Sequence, residues 1–287
     1  PRDLLQLLAR RYSKLAQQQQ QDAHDFLRLL FNGLAEEHKG QPAGAPHAAL
    51  FGGRSVSRVV CQTCRAVSDT PEAFLDVSLS LRRPDADALS PDADALSLEA
   101  LSLEALSVEA LFLAWAQKTE LAGENGYWCE RCQQRRAPHG PEALQPATLR
   151  YYLDLLPRHL IVHLQRFRTA YRPGAAASAK KGRRRAASPT CYIEKDDCCV
   201  AAAKVLCLPR TALLRETDHD EDRARFQLTG FVVHEGASTA HGHYTAVVAH
   251  GCRWFHVSDT AVAEIPEHRA LDPAYHEPYL LFYRRLE

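Results

Sequence analysis

The sequence predicts an α+β fold, and three observations carry the prediction. The first forty residues hold apolar side chains at helical spacing. The rear of the chain, from Tyr151, breaks into short runs rich in Val, Leu, Tyr and Phe, and two Cys-x-x-Cys pairs stand between these regions. Leu4, Leu5, Leu7, Leu8 and Tyr12 open the helical part, followed by a glutamine run from Gln17 to Gln21. Asp22 then stands where an N-cap belongs, with Asp25 three residues on as an approximate capping box. Beyond it Ala23, Phe26, Leu27, Leu30, Phe31 and Leu34 trace one apolar face, so a helix is predicted over about 22–37.

Residues 41–53, rich in Gly, Pro and Ala, are predicted to be loop. Strands are expected at 55–60 and 74–81, flanking the first cysteine pair. From Pro84 the chain repeats PDADALS twice, then LEALS twice, then VEALF. That period is too short for a solenoid unit and reads as slippage in a tolerant loop, an insertion over 84–107 running into a helix at 108–118. Further strands are expected at 151–156, 160–167, 226–234, 244–250, 253–257 and 279–284. Between the second and third of these, from 168 to about 200, an Ala-, Ser- and Gly-rich stretch carries Lys180, Lys181, Arg183, Arg184 and Arg185. It predicts a disordered insertion whose basic run is a solvated loop. A nuclear localisation signal, with Ser188 within reach of a basophilic kinase, is the competing reading.

Lys+Arg and Asp+Glu each total 35, so no bulk charge directs the chain to nucleic acid or to a membrane. No apolar run approaches the roughly 18 residues of a membrane span, and no signal-peptide pattern opens the chain. The chain starts at Pro1 and contains no Met, which reads as a fragment. Nine cysteines without a secretory signal favour a reducing compartment, cytoplasmic or nuclear, and metal ligation over disulfides. Cys207 and Cys252 are expected to be buried structural thiols. A zinc-ribbon nucleic-acid binder resting on Lys180–Arg185 is disfavoured, because that basic run lacks interleaved aromatics.

Two constellations carry chemistry. Cys61-x-x-Cys64 and Cys129-x-x-Cys132 each place two thiols on one tight turn. Together they suit a tetrahedral, closed and therefore structural zinc site; a redox pair or plain buried thiols are the alternatives. Near the C-terminus, Gly242-His243-Tyr244-Thr245-Ala246 leads into a strand, and Trp254-Phe255-His256-Val257-Ser258-Asp259 follows. A histidine at the start of one strand then faces a polar residue at the end of its hairpin neighbour, as a base and its orienting partner do. His241 is close enough to compete for that role.

Taken in order, these blocks resemble the ubiquitin-specific protease family of cysteine deubiquitinases. Gln20-Gln21-Asp22-Ala23-His24-Asp25-Phe26-Leu27 is similar to the family's QQDAHEFL box. Cys61 and Cys64 with Phe74-Leu75-Asp76-Val77-Ser78-Leu79, and Tyr127-Trp128-Cys129-Glu130-Arg131-Cys132, are similar to its two knuckles. Leu156-Pro157 through Phe167 resembles its LP..L..HLKRF strand, Gly242 through Ala246 its histidine box, and Tyr279 through Tyr283 its closing strand.

The resemblance implies a papain-like fold of fingers, palm and thumb. Thumb helices would occupy 1–40, fingers 54–150 and palm 151–287. It implies structural zinc on Cys61, Cys64, Cys129 and Cys132, and His243 as general base. Ser258 occupies the orienting position, usually Asp or Asn, and Asp259 the second acidic position. Asp22 would pair with an arginine of the ubiquitin tail as well as cap its helix. The implied partner is ubiquitin or a ubiquitinated protein, met by a monomer. In this family the nucleophile box, a Gly-Asn-Thr-Cys turn, precedes the glutamine box, and nothing here resembles it. The N-terminal part of the thumb is thus expected to be missing and the polypeptide as written to be inactive. The alternative is a catalytically inactive ubiquitin-binding scaffold.

Overall fold

The computed structural model describes residues 2–12, 21–40, 45–81, 106–135, 144–172, 190–214, 224–238 and 241–286. Helix α1 spans Arg2–Arg11 and α2 spans Ala23–Glu37, with Asp22 as the N-cap. The Asp22 carboxylate accepts the backbone N–H groups of His24 and Asp25, a cap worth about 1 kcal/mol. The loop expected at 41–53 contains a short helix instead, α3 (Pro46–Phe51), which Pro46 starts because its missing N–H costs nothing at a first helical position.

Strands β1 (Gly53–Cys61), β2 (Val67–Phe74) and β3 (Val77–Ser80) follow, then β4 (Leu106–Ser107), α4 (Val108–Trp115) and β5 (Thr119–Leu121). Apart from Leu106 and Ser107, the repeat insertion lies outside the described residues. Next come α5 (Glu130–Gln134), β6 (Ala147–Leu155), β7 (His159–Gln165), β8 (Phe167–Arg172) and β9 (Thr190–Lys195). The chain closes through β10 (Val200–Ala201), β11 (Val205–Cys207), β12 (Arg225–Ser238), β13 (His241–His250), β14 (Arg253–Ser258), β15 (Ala261–Ile265), α6 (Glu267–Ala270) and β16 (Pro278–Arg285). The fold is α+β, as the sequence predicts.

Two sheets organise the molecule. The smaller is antiparallel, in the order β2-β1-β6-β5. The larger runs β15-β14-β13-β12-β16-β7-β3, with β11 also on β12; all its pairs are antiparallel except β3 on β7. Helix α4 is apolar nearly all round, and Val108, Ala110, Leu111, Phe112 and Leu113 are all buried, as such a helix requires. They join Leu79, Leu160, Val162, Leu164, Phe226 and Phe231 in one core under the larger sheet. Among the described residues, no helix is long and apolar enough to cross a membrane.

Three further sequence expectations are corrected. Strand β2 forms where none is expected, because its residues are exposed and polar; Pro71 fits since β2 is an edge strand. The insertion expected to be disordered from 168 to about 200 is ordered at both ends. There β8 pairs with β9, and buried Lys195 bonds to Glu277 at 2.7 Å; residues 173–189 lie outside the described residues. Cys252 is exposed at the β13–β14 turn and Cys207 is half-buried, so neither is a buried core thiol.

Arg166, fully buried, shows how the ordered end is held. Its Nε donates to the Pro278 carbonyl at 2.7 Å and its Nη1 to the carbonyls of Asp196 and Cys198, both at 2.9 Å. A guanidinium spreads several donors in a fixed fork, which suits three separate carbonyls better than an ammonium would. Burial lowers its pKa from the ordinary value.

Candidate active site and metal centre

Each Cys-x-x-Cys pair lies on a turn leaving one part of the smaller sheet. Cys61 ends β1, and Arg65 closes the first turn with φ 59°, its N–H bonding to the Cys61 carbonyl at 2.9 Å. Cys129 and Cys132 straddle the start of α5. The bridge between Tyr127 and Gln145 brings this second turn against the first. All four sulfurs lie within 4.8 Å of one another, with Cys61 Sγ 3.7 Å from Cys132 Sγ and Cys64 Sγ 3.5 Å from Cys129 Sγ. A tetrahedron with metal–sulfur bonds of about 2.3 Å has edges of about 3.8 Å, so the donor set and its spacing fit a four-thiolate ion.

The thiols are electrostatically unequal. At Cys61 burial opposes ionisation, but the N–H groups of Cys64 and Thr63 outweigh it and lower the pKa to about 7. Burial and the neighbouring thiols push Cys132 up to about 12.

The second constellation sits on the larger sheet. His243 is near the start of β13 and Ser258 ends β14; His243 Nε2 lies 2.8 Å from Ser258 Oγ and 4.0 Å from an Asp259 carboxylate oxygen. With its proton on Nε2 donated to the serine oxygen, the ring keeps the Nδ1 lone pair free to act as a base. His241 lies two residues before and pairs with Ser238 across the ladder. The hydrogen bond to Ser258 belongs to His243. Asp259, with φ 50°, turns the chain into β15.

Backbone packing fixes the approach to His243. A Cβ on Gly242 would collide with the carbonyl oxygen of Glu235 and lie 2.6 Å from His234 Nε2. One on Gly236 would lie 2.6 Å from the His241 carbonyl oxygen. The bulge in the β12–β13 ladder between Glu235 and Ser238 therefore needs two bare backbones to bring the strands together.

Asp22 lies where α2 meets the larger sheet. Its Oδ1 takes the His24 and Asp25 N–H groups at 2.8 and 3.0 Å, and its Oδ2 takes the Tyr279 hydroxyl at 2.6 Å. Burial, then the Asp22 carboxylate, pushes the Tyr244 hydroxyl up to about 12 and raises that of Tyr279 as well. Beside them His24 Nε2 meets an Asp76 carboxylate oxygen at 2.9 Å, and the His24 ring stacks on His163 at 3.8 Å. His163 Nδ1 is 2.9 Å from Ser78 Oγ, and the Tyr279 ring stands edge-on to His163. Burial, then the charge of His24, lowers the His163 pKa to about 4. Burial opposes the Asp76 carboxylate, yet the hydrogen bond and charge of His24 hold it below its ordinary value.

Sequence reasoning missed Tyr279, Tyr244, His24, His163 and Asp76 as partners at this junction. They are brought together only by the fold, since His24 and Asp76 are 52 residues apart. A cavity of about 470 Å³ opens beside them, with Ser80, Gln165, Phe167 and Asp196 among its lining, next to His163 and Tyr279.

Comparison with known proteins gives a consistent result. Mouse and human ubiquitin carboxyl-terminal hydrolase 3 are each 25% identical over 291 residues, covering 92% of this chain and 48% of theirs. Yeast ubiquitin carboxyl-terminal hydrolase 13 is 23% identical over 288 residues, covering 93% of this chain and 32% of its own length. The chain thus spans about half or less of the length of these curated relatives. Among solved structures, the SAGA DUB module Ubp8/Sgf11/Sus1/Sgf73 bound to ubiquitin aldehyde superposes with a TM-score of 0.67 at 21% identity, covering 99% of this chain and 53% of that one. The family model described as ubiquitin carboxyl-terminal hydrolase matches residues 1–283. This chain belongs to the ubiquitin carboxyl-terminal hydrolase family.

Proposed function

We propose that the chain serves a thiol-dependent deubiquitinase that hydrolyses isopeptide bonds at the ubiquitin C-terminus. The observation that carries the reading is His243 bonded through Nε2 to Ser258, with Asp259 beside it, inside a family match that spans the chain. His243 takes the thiol proton on Nδ1 and later returns it to the leaving amine. Ser258 fixes the ring and its tautomer, while Asp259 adds a carboxylate near the imidazolium. Asp22, already a helix cap, faces the arginine-bearing tail of ubiquitin. The smaller sheet is read as fingers, with Cys61, Cys64, Cys129 and Cys132 holding structural zinc. The larger sheet is read as palm, and α1 and α2 as thumb.

The nucleophilic thiol is not one of the nine cysteines. Four are gathered in the metal cluster. Cys252 stands at the opposite end of β13 from His243, roughly 25 Å away at about 3.3 Å per strand residue. Cys191, Cys198, Cys199 and Cys207 follow the glutamine box in the chain, whereas the family's nucleophile box precedes it. The test is ubiquitin bearing a thiol-reactive C-terminal electrophile, incubated with the 287-residue chain and read by intact mass. The expected result is no adduct, with one appearing when a segment carrying the family's nucleophile box is joined ahead of the chain and vanishing again in His243→Ala. An adduct on the chain as it stands would overturn this placement of the active site.

A further inference from the structure

We propose that Glu235 is a positioning residue for His243, supplying through space the negative charge that Ser258 lacks. The proposal rests on reading His243 as the base. Glu235 is the direct cross-strand partner of His243 in the β12–β13 ladder, the last pair before the bulge. Directly opposed residues of antiparallel strands share a face, with Cβ atoms about 4.5–5.5 Å apart. Thr245, two residues along β13 on that face, donates its hydroxyl to Glu235 Oε1 at 3.4 Å. Glu235 therefore leans toward Thr245. His243 leans the same way, because Ser258 continues the register in which Ala246 opposes Val257.

The need for such a charge is plain from the geometry. A serine hydroxyl accepts the Nε2–H but does not neutralise an imidazolium; Asp259, 4.0 Å off, and Glu235, across the ladder, are both exposed carboxylates that act on the ring through a screened field. The groups facing His243 are Glu235 from β12, His241 from β13, and Ser258 and Asp259 from β14 and its turn. His256, on the same face of β14, stacks on His276 at 5.9 Å. The charge of Glu235 also opposes the burial-led lowering of the His276 pKa, and His276 stacks on His256 of this same face.

The test is NMR titration of the His243 ring in the 287-residue chain, assigned by comparison with His243→Gln. In Glu235→Gln the midpoint is expected to fall by about 0.5–1 pH unit, the Coulomb effect of one charge at roughly 6–7 Å in a half-solvated setting. Glu235→Asp should recover most of it. A merely structural Glu235 would change the melting temperature and leave the midpoint alone. A Glu235→Gln midpoint within about 0.2 pH unit of the wild type, on the same scale, overturns the proposal. An adduct on the chain as it stands overturns the proposed placement of the active site and leaves this coupling standing. An unchanged titration removes the coupling and leaves the proposed function.

Discussion

The ring of His163 is half-buried against His24 and bonded to Ser78, and it titrates near 4 in the folded chain. An unfolded histidine titrates near ~6.5, so between these values the unfolded chain binds a proton that the folded chain refuses. The folded pKa of a base is here depressed. Stability from His163 is therefore complete above about pH 6.5 and lost as pH falls toward 4. Worked through, the loss between pH 7 and pH 5 is about 2 kcal/mol, and the full difference of about 2.5 pH units comes to a little over ~3 kcal/mol. Replacing His163 with Gln keeps a polar partner for Ser78 and removes the titration. Urea unfolding of both proteins at pH 7, 6 and 5 gives the comparison, since the remaining histidines contribute to both. Wild type should lose about 2 kcal/mol more than His163→Gln over that range. Parallel pH dependences, within about 0.5 kcal/mol, would refute the claim that the stacked pair excludes the proton.

Two further predictions follow from the packing. The chain purified from zinc-supplemented medium should carry one zinc per molecule by elemental analysis, and Cys132→Ser should abolish it and lower the melting temperature; full metal retention in that variant would remove the four-thiolate assignment. Arg166→Lys should cost about 2–4 kcal/mol in urea unfolding, because an ammonium cannot span the three carbonyls of Pro278, Asp196 and Cys198; a cost under ~0.5 kcal/mol would contradict the anchoring role.

What the sequence discloses is what is local. The cap at Asp22, the two cysteine turns and the hairpin joining His243 to Ser258 each depend on residues close in the chain or on a short ladder. The signal for β2 fails because its stability comes from backbone pairing with β1 rather than from an apolar pattern, and Ser68 to Glu72 are exposed and mostly polar. Helix α3 is hidden by the Gly- and Pro-rich composition around it. The junction of Asp22, His24, Asp76, His163 and Tyr279 is invisible for another reason. Its members lie on four separate elements, and nothing in their spacing marks them as neighbours. Cys252 misleads because an apolar-looking residue beside a strand is read as buried, whereas it sits at a hairpin tip.

The parallel pairing of β4 with β10 holds the chain where it leaves the repeats. Leu106 bonds to the Cys199 carbonyl and its strand pairs with Val200 and Ala201, while Val77 to Ser80 are held on β7. Both ends of the PDADALS and LEALS copies are therefore anchored independently of how many copies stand between them. Doubling the length of such a connection costs only about 0.6 kcal/mol in closure entropy. A change in copy number is therefore expected to cost little, since the cysteine cluster and His243 lie outside the span whose length it alters.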